Sequence, residues 1–285
     1  MRILCPCPQL FSSKALNLIQ SINYFKCKFT RLSQEKFDKT FFKYDVILTR
    51  FNHKIKFKNN SIKYIISPTT GLDHIDKRYF KSKTKVISLF GDNSFLKKIN
   101  ATSEFTIFLI LRELRSKGNK FQLNHEINNK SIGIIGYGRI GKKVSKTLKS
   151  MGAKVFFWDK KFFSMSLNKI FETCDLISIH IPLKNNLKFI NNSHFKLMKK
   201  NSILVNTSRG DVVNEKQLLK FTQNEKFRYV TDVVGKFLQF KLKKKTKLKN
   251  IIYSKHVAGL TRESVEKTDL RVISKFLRDI KNEQS

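Results

Sequence analysis

Short apolar runs alternate with amphipathic stretches along almost the whole chain, the pattern of a parallel, doubly wound α/β architecture. In the first hundred residues, segments 2–4, 45–49, 64–67 and 86–89 read as strands. A second series follows at 131–135, 155–158, 176–180, 202–206, 229–233 and 251–253. Helices are expected in the gaps, most clearly over 139–150, where Val144 and Leu148 stand four apart. Residues 101–117 (ATSEFTIFLILRELRSK) read as a long helix that is apolar around most of its circumference, which implies burial on more than one side. A final amphipathic stretch, about 262–281, has no strand after it and must pack back onto the fold.

Composition narrows the class. The 285 residues include 26 phenylalanines and are 40% hydrophobic, enough to bury a substantial core and too apolar for a disordered chain. The longest aliphatic stretch, 105–111, is interrupted by Thr106 and bounded by Glu104 and Arg112. That is far short of the roughly 20 residues that span a bilayer. Met1 to Leu4 run straight into Cys5-Pro6-Cys7-Pro8 with no apolar leader behind them. A soluble, cytoplasmic protein with no membrane partner is expected. Cys5, Cys7, Cys27 and Cys174 lack zinc-ligand spacing, so reduced thiols and no metal site are expected.

The charge is extreme: 58 Lys and Arg against 21 Asp and Glu, a net +37. Such a field attracts any polyanion and suits a small anionic substrate equally well. The basic residues are mostly lysines spread along the chain, and only 241–249 (KLKKKTKLK) forms a dense block, which reads as a solvated loop. No specific nucleic-acid partner is expected.

The strongest local signal is the segment Ile132-Gly133-Ile134-Ile135-Gly136-Tyr137-Gly138-Arg139-Ile140-Gly141. An apolar strand runs into Gly-x-Gly-x-x-Gly and a helix opens at once. Gly136 suits the tight turn, Gly138 lets the backbone approach a pyrophosphate, and Gly141 permits close packing of helix on strand. The helix N-terminus offers free amides and a positive dipole end to the phosphates. Asp159 closes the next strand, 23 residues after Gly136. An acid there accepts from the adenosine ribose hydroxyls and disfavours a 2′-phosphate, so NAD is preferred over NADP. Lys160 and Lys161 follow it and temper that preference.

With these features in place, the chain resembles the D-isomer-specific 2-hydroxyacid dehydrogenases, the family that includes phosphoglycerate and erythronate-4-phosphate dehydrogenases. Four stretches carry the resemblance: SPTTGLDHID (67–76), INATSEFT (99–106), GIIGYGRIG (133–141) and ILVNTSRGDVVNE (203–215). It implies two doubly wound parallel-sheet domains, with a Rossmann-type NAD-binding domain (99–263) inserted into a flavodoxin-like substrate domain (1–98, completed by the C-terminal helix 264–285). A homodimer interconverting a D-2-hydroxy acid and a 2-keto acid is implied. Arg209 matches the arginine that binds the substrate carboxylate and polarises the reacting carbonyl, a task suited to a planar, always-charged fork. His256 matches the acid–base histidine. The resemblance further places Thr70 and Gly71 as amide donors to the substrate carboxylate, and Arg139 and Ile140 on the pyrophosphate turn. Pro182 falls at the adenine pocket, Thr207 beside the nicotinamide ribose, and Asp232 at the carboxamide. Arg50, at a strand end, is compatible with a phosphorylated substrate. His180 is as readily a packing residue.

One element departs from the family pattern. The glutamate that pairs with the histidine stands five residues after the aspartate matched by Asp232, and here that position is Phe237. Residues 235–250 contain no acid, Gln239 is the only candidate to accept from the ring instead, and Lys255 replaces the proline usual before the histidine. Without the carboxylate, nearby lysines are expected to depress the imidazole pKa. The alternative to an active dehydrogenase is therefore an NAD-binding protein of the same fold with impaired catalysis.

Overall fold

The structure is a computed structural model that describes residues 1–58, 62–115, 123–244, 246 and 248–284. Residues 116–117 of the expected long helix, residues 245 and 247 of the lysine block and residue 285 lie outside the described residues. The chain forms two compact units, Met1–Ile99 with Leu260–Ser285 and Asn100–Gly259.

The first unit opens with β1 (Arg2–Cys5), α1 (Ser13–Gln20), β2 (Lys26–Phe29), α2 (Gln34–Asp38), β3 (Val46–Leu48), β4 (Tyr64–Ser67), β5 (Lys85–Ser88) and the single turn α3 (Asn93–Leu96). Ser12 and Ser33 start α1 and α2 by accepting the backbone amides of Ala15 and Lys36. The strands form one parallel sheet in the order β2-β1-β3-β4-β5, the flavodoxin arrangement. β3 and β4 lie inside it and are buried at every position, which is why they read as unbroken apolar runs. β2 (KCKF) escapes the apolar pattern. It is an edge strand with its two lysines turned toward solvent, so its sequence carries no hydrophobic run to detect.

The second unit begins with α4 (Ala101–Arg115), followed by β6 (Ser131–Ile135), α5 (Arg139–Ser150), β7 (Lys154–Trp158), α6 (Leu167–Thr173) and β8 (Leu176–Ile179). It continues with α7 (Asn192–Leu197), β9 (Ser202–Asn206), α8 (Glu215–Gln223), β10 (Phe227–Thr231), α9 (Lys236–Lys243) and β11 (Ile251–Tyr253). Its six parallel strands run β11-β10-β9-β8-β6-β7, so the winding direction switches between β6 and β8. Alternate strand residues face opposite layers. Ile135, Ile177, Leu204 and Tyr229 pack on the α6–α9 side, whereas Ile134, Leu176, Val205 and Val230 pack on the α4–α5 side. β10 ends two residues earlier than the apolar pattern suggests, because the Thr231 hydroxyl binds the amide and carbonyl of Val233 and turns the chain out of the sheet.

The chain then returns to the first unit as α10 (Arg262–Gln284). Val272, Ile273, Phe276 and Ile280, spaced to one helix face, are buried there. Phe276 stacks on Phe25 at 5.6 Å and meets Tyr64 edge-on at 5.0 Å. None of the described helices is long and apolar enough to cross a membrane.

Candidate functional site

In a parallel α/β sheet, ligand-binding groups gather outside the carboxyl ends of the strands, around the point where the winding reverses. In the second unit the candidates obey that rule without exception. Gly136 follows β6, Asp159 follows β7, Pro182 follows β8, Thr207 and Arg209 follow β9, Asp232 follows β10, and His256 follows β11.

The glycine turn sits at the switch between β6 and β8, and its three glycines have separate steric reasons. Gly136 has φ +95°, and a Cβ there would come within 2.7–2.8 Å of the His180 carbonyl and Ile181. A Cβ on Gly141 would overlap the Gly136 carbonyl oxygen, so this position lets α5 lie against the turn. Around Gly138 a Cβ would meet nothing within 4 Å, and Gly138 caps α5 without a side chain. Open space in front of an uncapped helix N-terminus fits a pyrophosphate group. Arg139 and Ile140 form the first turn of α5, both half-buried. One oxygen of Asp159 accepts the Tyr137 amide at 2.9 Å, which locks the acid to the turn. Tyr137 stacks on Phe157 at 3.9 Å. His180 donates to or accepts from Ser178 at 2.9 Å, and burial lowers its pKa to about 4, so it acts as a neutral packing residue under the turn. Pro182 is exposed just beyond β8, its carbonyl accepting from Asn186 at 2.8 Å.

Asn206, at the end of β9, organises the loop that carries Arg209. Its side-chain oxygen accepts both the amide and the hydroxyl of Ser208, and its NH2 donates to the Arg209 carbonyl at 3.0 Å and to Tyr229 Oη at 3.1 Å. The amide is thereby used on both sides, and a fully satisfied buried polar group fixes one conformation. Arg209 is half-buried, with Nη1 donating to the Ser208 carbonyl at 2.7 Å. The same motif then grips the next loop. Glu215, buried, accepts the amides of Gly235 at 2.6 Å and Leu238 at 3.0 Å, while Asp211 accepts that of Lys236 at 3.1 Å. Two carboxylates thus cap α9 and complement its dipole. Thr207 is buried against α4, its hydroxyl 2.8 Å from that of Thr106.

His256 has φ +56°, a left-handed conformation uncommon for a residue with a side chain. Asp232 imposes it. The Asp232 carbonyl accepts the His256 amide at 2.9 Å. Its carboxylate accepts Ser254 Oγ at 2.6 Å and the amides of Val257 and Ala258 at 2.9 Å each. Burial holds the imidazole below the ordinary histidine value; Asp232 works to raise it, and Arg209 to lower it further. The direction matches the sequence expectation, but the cause is burial and Arg209 rather than the lysines.

No acid replaces the absent glutamate at its own position. Phe237 leans on the apolar layer of α6–α9. Gln239 is exposed on α9, where its side-chain NH2 donates to the Val234 carbonyl at 3.1 Å. The candidate substitute thus has its side-chain NH2 turned back to the residue before the cap of α9.

In the first unit, Arg50 follows β3 and Thr70 and Gly71 follow β4, on neighbouring strands. The Ser67 hydroxyl, bonded to His74 and to Thr69, and the Thr69 hydroxyl, donating to the Gly71 carbonyl at 2.9 Å, shape this loop. Arg50 does not present its charge to a ligand. It is 4% exposed and paired at 2.5 Å with the fully buried Asp269 of α10. The compatibility of Arg50 with a phosphorylated substrate is therefore corrected. Its partner lies 219 residues away and was invisible to local pattern.

Sequence reasoning missed Asn206, Asp211, Glu215, Ser254 and Thr106. The first three lie inside the ILVNTSRGDVVNE stretch, where polar residues interrupting an apolar run were the available signal. Thr106, which interrupts the apolar stretch 105–111, carried the same signal, and Ser254 carried none.

Comparisons with known proteins agree with this geometry. Residues 105–258 match the family model described as D-isomer specific 2-hydroxyacid dehydrogenase, NAD binding domain. Erythronate-4-phosphate dehydrogenase of Wigglesworthia glossinidia brevipalpis is 35% identical over 190 residues, covering 62% of this chain and 47% of that protein. The chain spans about half the length of the curated relatives it matches. In fold it is similar to the apo-structure of D-lactate dehydrogenase from Escherichia coli, with a TM-score of 0.81, 21% identity, and coverage of 99% of this chain and 98% of that one. It is also similar to D-lactate dehydrogenase from Aquifex aeolicus complexed with NAD and lactic acid, with a TM-score of 0.79, 23% identity, and coverage of 99% and 96%.

Proposed function

Because this chain belongs to the D-isomer-specific 2-hydroxyacid dehydrogenase family and carries its NAD-binding domain, we propose that it interconverts a D-2-hydroxy acid and the corresponding 2-keto acid. The observation that carries the reading is the linkage of Asn206, Asp232 and His256. Asp232 donates its amide to the Asn206 carbonyl at 3.0 Å, Asn206 sets Arg209, and Asp232 sets His256.

NAD, when bound, supplies the hydride acceptor or, reduced, the donor. The Gly136–Gly141 turn and the first turn of α5 would hold its pyrophosphate, Asp159 and Pro182 would flank its adenosine half, and Thr207 and Asp232 its nicotinamide half. In the second unit Arg209 binds the substrate carboxylate; in the first, the amides of Thr70 and Gly71 donate to no other residue among the described ones and are offered to substrate. The guanidinium also draws electron density from the carbonyl at C2. In oxidation, neutral His256 takes the hydroxyl proton as hydride leaves C2. In reduction, the imidazolium returns that proton to the oxygen. The lowered imidazole pKa favours the neutral form, the state that takes the proton in oxidation.

The reading assigns residues 99–263 to the cofactor and 1–98 with 264–285 to the substrate. A homodimer and a cytoplasmic setting belong to it as well. Phe108, 53% exposed on α4 beside Phe105, supports the first, and four free thiols suit a reducing compartment. The catalytically impaired alternative draws no support from the relatives. The decisive experiment mixes purified protein with NADH and a panel of 2-keto acids, following absorbance loss beside a His256→Ala variant. Turnover abolished by that substitution is expected; NADH binding with no turnover on any acid would overturn the dehydrogenase.

A further inference from the structure

A hydroxyl group has one proton to donate and two lone pairs to accept with. Thr106 lies within α4 and is fully buried, with its oxygen 2.7 Å from the Thr102 carbonyl. A carbonyl oxygen accepts only, so the Thr106 proton points there. Thr106 Oγ1 is also 2.8 Å from Thr207 Oγ1. With its own proton directed to Thr102, Thr106 can only accept in this second contact, and the Thr207 proton must point at Thr106. Thr207 is left with lone pairs alone for any further partner.

We propose that Thr106 is a positioning residue that fixes the Thr207 hydroxyl as a pure acceptor and thereby selects a ligand that donates a hydroxyl proton at this place. The inference rests on the reading that Thr207 flanks the ribose on the nicotinamide side of the cofactor. A sugar hydroxyl is then the recognised group. The arrangement is preorganised, because α4 and the end of β9 hold both threonines before any ligand arrives. A Thr207 hydroxyl without this neighbour would rotate, meet its ligand as donor or acceptor indifferently, and lose the direction of the contact.

The test is calorimetric titration of the full chain with NADH and, separately, with ADP, which lacks the second ribose. Thr106→Val keeps the shape of the side chain and removes the hydroxyl; Thr106→Ser restores it. Thr106→Val is expected to weaken NADH about fivefold, on the order of one hydrogen bond, while ADP binds as to the unmodified protein and Thr106→Ser returns NADH affinity to within about twofold. Unchanged NADH binding by Thr106→Val, equal weakening of NADH and ADP, or failure of Thr106→Ser to restore would each overturn the proposal. Thr207→Val separates the two layers. If it leaves NADH affinity intact, the placement of Thr207 at the ribose is wrong. If it weakens NADH while Thr106→Val does not, Thr207 contacts the cofactor without direction from Thr106.

Discussion

Asp232 holds His256 by its main chain and the neighbours of His256 by its side chain. One carbonyl oxygen and two carboxylate oxygens together take four donors from the 254–258 loop. A buried carboxylate with its lone pairs so engaged rigidifies whatever it binds, and here it keeps an imidazole in a left-handed backbone conformation that the residue would not choose alone. In a chain whose usual histidine partner is a phenylalanine, this is the acid that remains beside the ring.

Asp232→Asn puts an NH2 where the loop offers only donors, and at least one of the four bonds is lost. We expect kcat to fall by roughly 10- to 100-fold, with about 1–3 kcal/mol of stability lost. Ser254→Ala, which removes a single clamp bond, should cost about 1 kcal/mol or less. Steady-state kinetics and urea unfolding of both variants test the ranking. Equal kcat in Asp232→Asn and the parent would show that the loop holds its shape without the carboxylate.

The depressed His256 pKa has opposite consequences for the two directions of reaction. Oxidation needs the neutral ring, which is already the major form at the ordinary histidine value of 6.5 because the folded value lies below it. Reduction needs the imidazolium, which accumulates only as pH falls through the lowered value. The oxidative profile of kcat/KM should therefore reach its half-value only below pH 6.5, while the reductive rate climbs as the medium is acidified toward that lowered value. An oxidative profile already half lost at pH 7 would contradict the burial of the ring.

Gly138 and Gly141 separate binding from folding. At Gly138 the space is open and φ is −80°, so Gly138→Ala should leave stability within about 0.5 kcal/mol. The added methyl would stand where the pyrophosphate approaches, and NADH affinity should drop at least about tenfold. Gly141→Ala forces a Cβ into the Gly136 carbonyl and should destabilise the unit by about 1–3 kcal/mol or more. Thermal midpoints read beside NADH titrations distinguish the pair; the same loss of stability in both variants would refute the separate roles.

Arg50 and Asp269 are expected to matter for stability. Burial works to raise the Asp269 carboxyl, while Arg50 and the Ser12 amide hold it in the charged form. Removing one partner strands the other, so Arg50→Ala should cost about 3–5 kcal/mol. The double variant Arg50→Met/Asp269→Leu, which removes both charges, should be more stable than Arg50→Ala. Denaturant midpoints decide the matter, and an Arg50→Ala variant as stable as the parent would free the guanidinium for a role toward ligand.

The sequence by itself determined the two parallel sheets, the glycine turn and the strand ends at which Arg209 and His256 stand. These are local properties. An inner parallel strand must be apolar on both faces, and a turn against a phosphate requires glycine wherever a Cβ has no room. The missing glutamate was equally legible as Phe237. Only the tertiary structure decided what each polar residue is bonded to. Arg50 reads as an available charge until α10 brings Asp269 to it, and Gln239 reads as a substitute acceptor until its amide is seen to fold back on Val234. Asp232 stands at a strand end in the sequence, and only the fold shows its carboxylate taking three donors from the 254–258 loop. Hydrogen bonds and ion pairs form between groups made neighbours by packing, across separations of 22 residues for Ser254 and Asp232 and 219 for Arg50 and Asp269. Periodicity reports which side of an element is buried, and it carries no information about the partner waiting there.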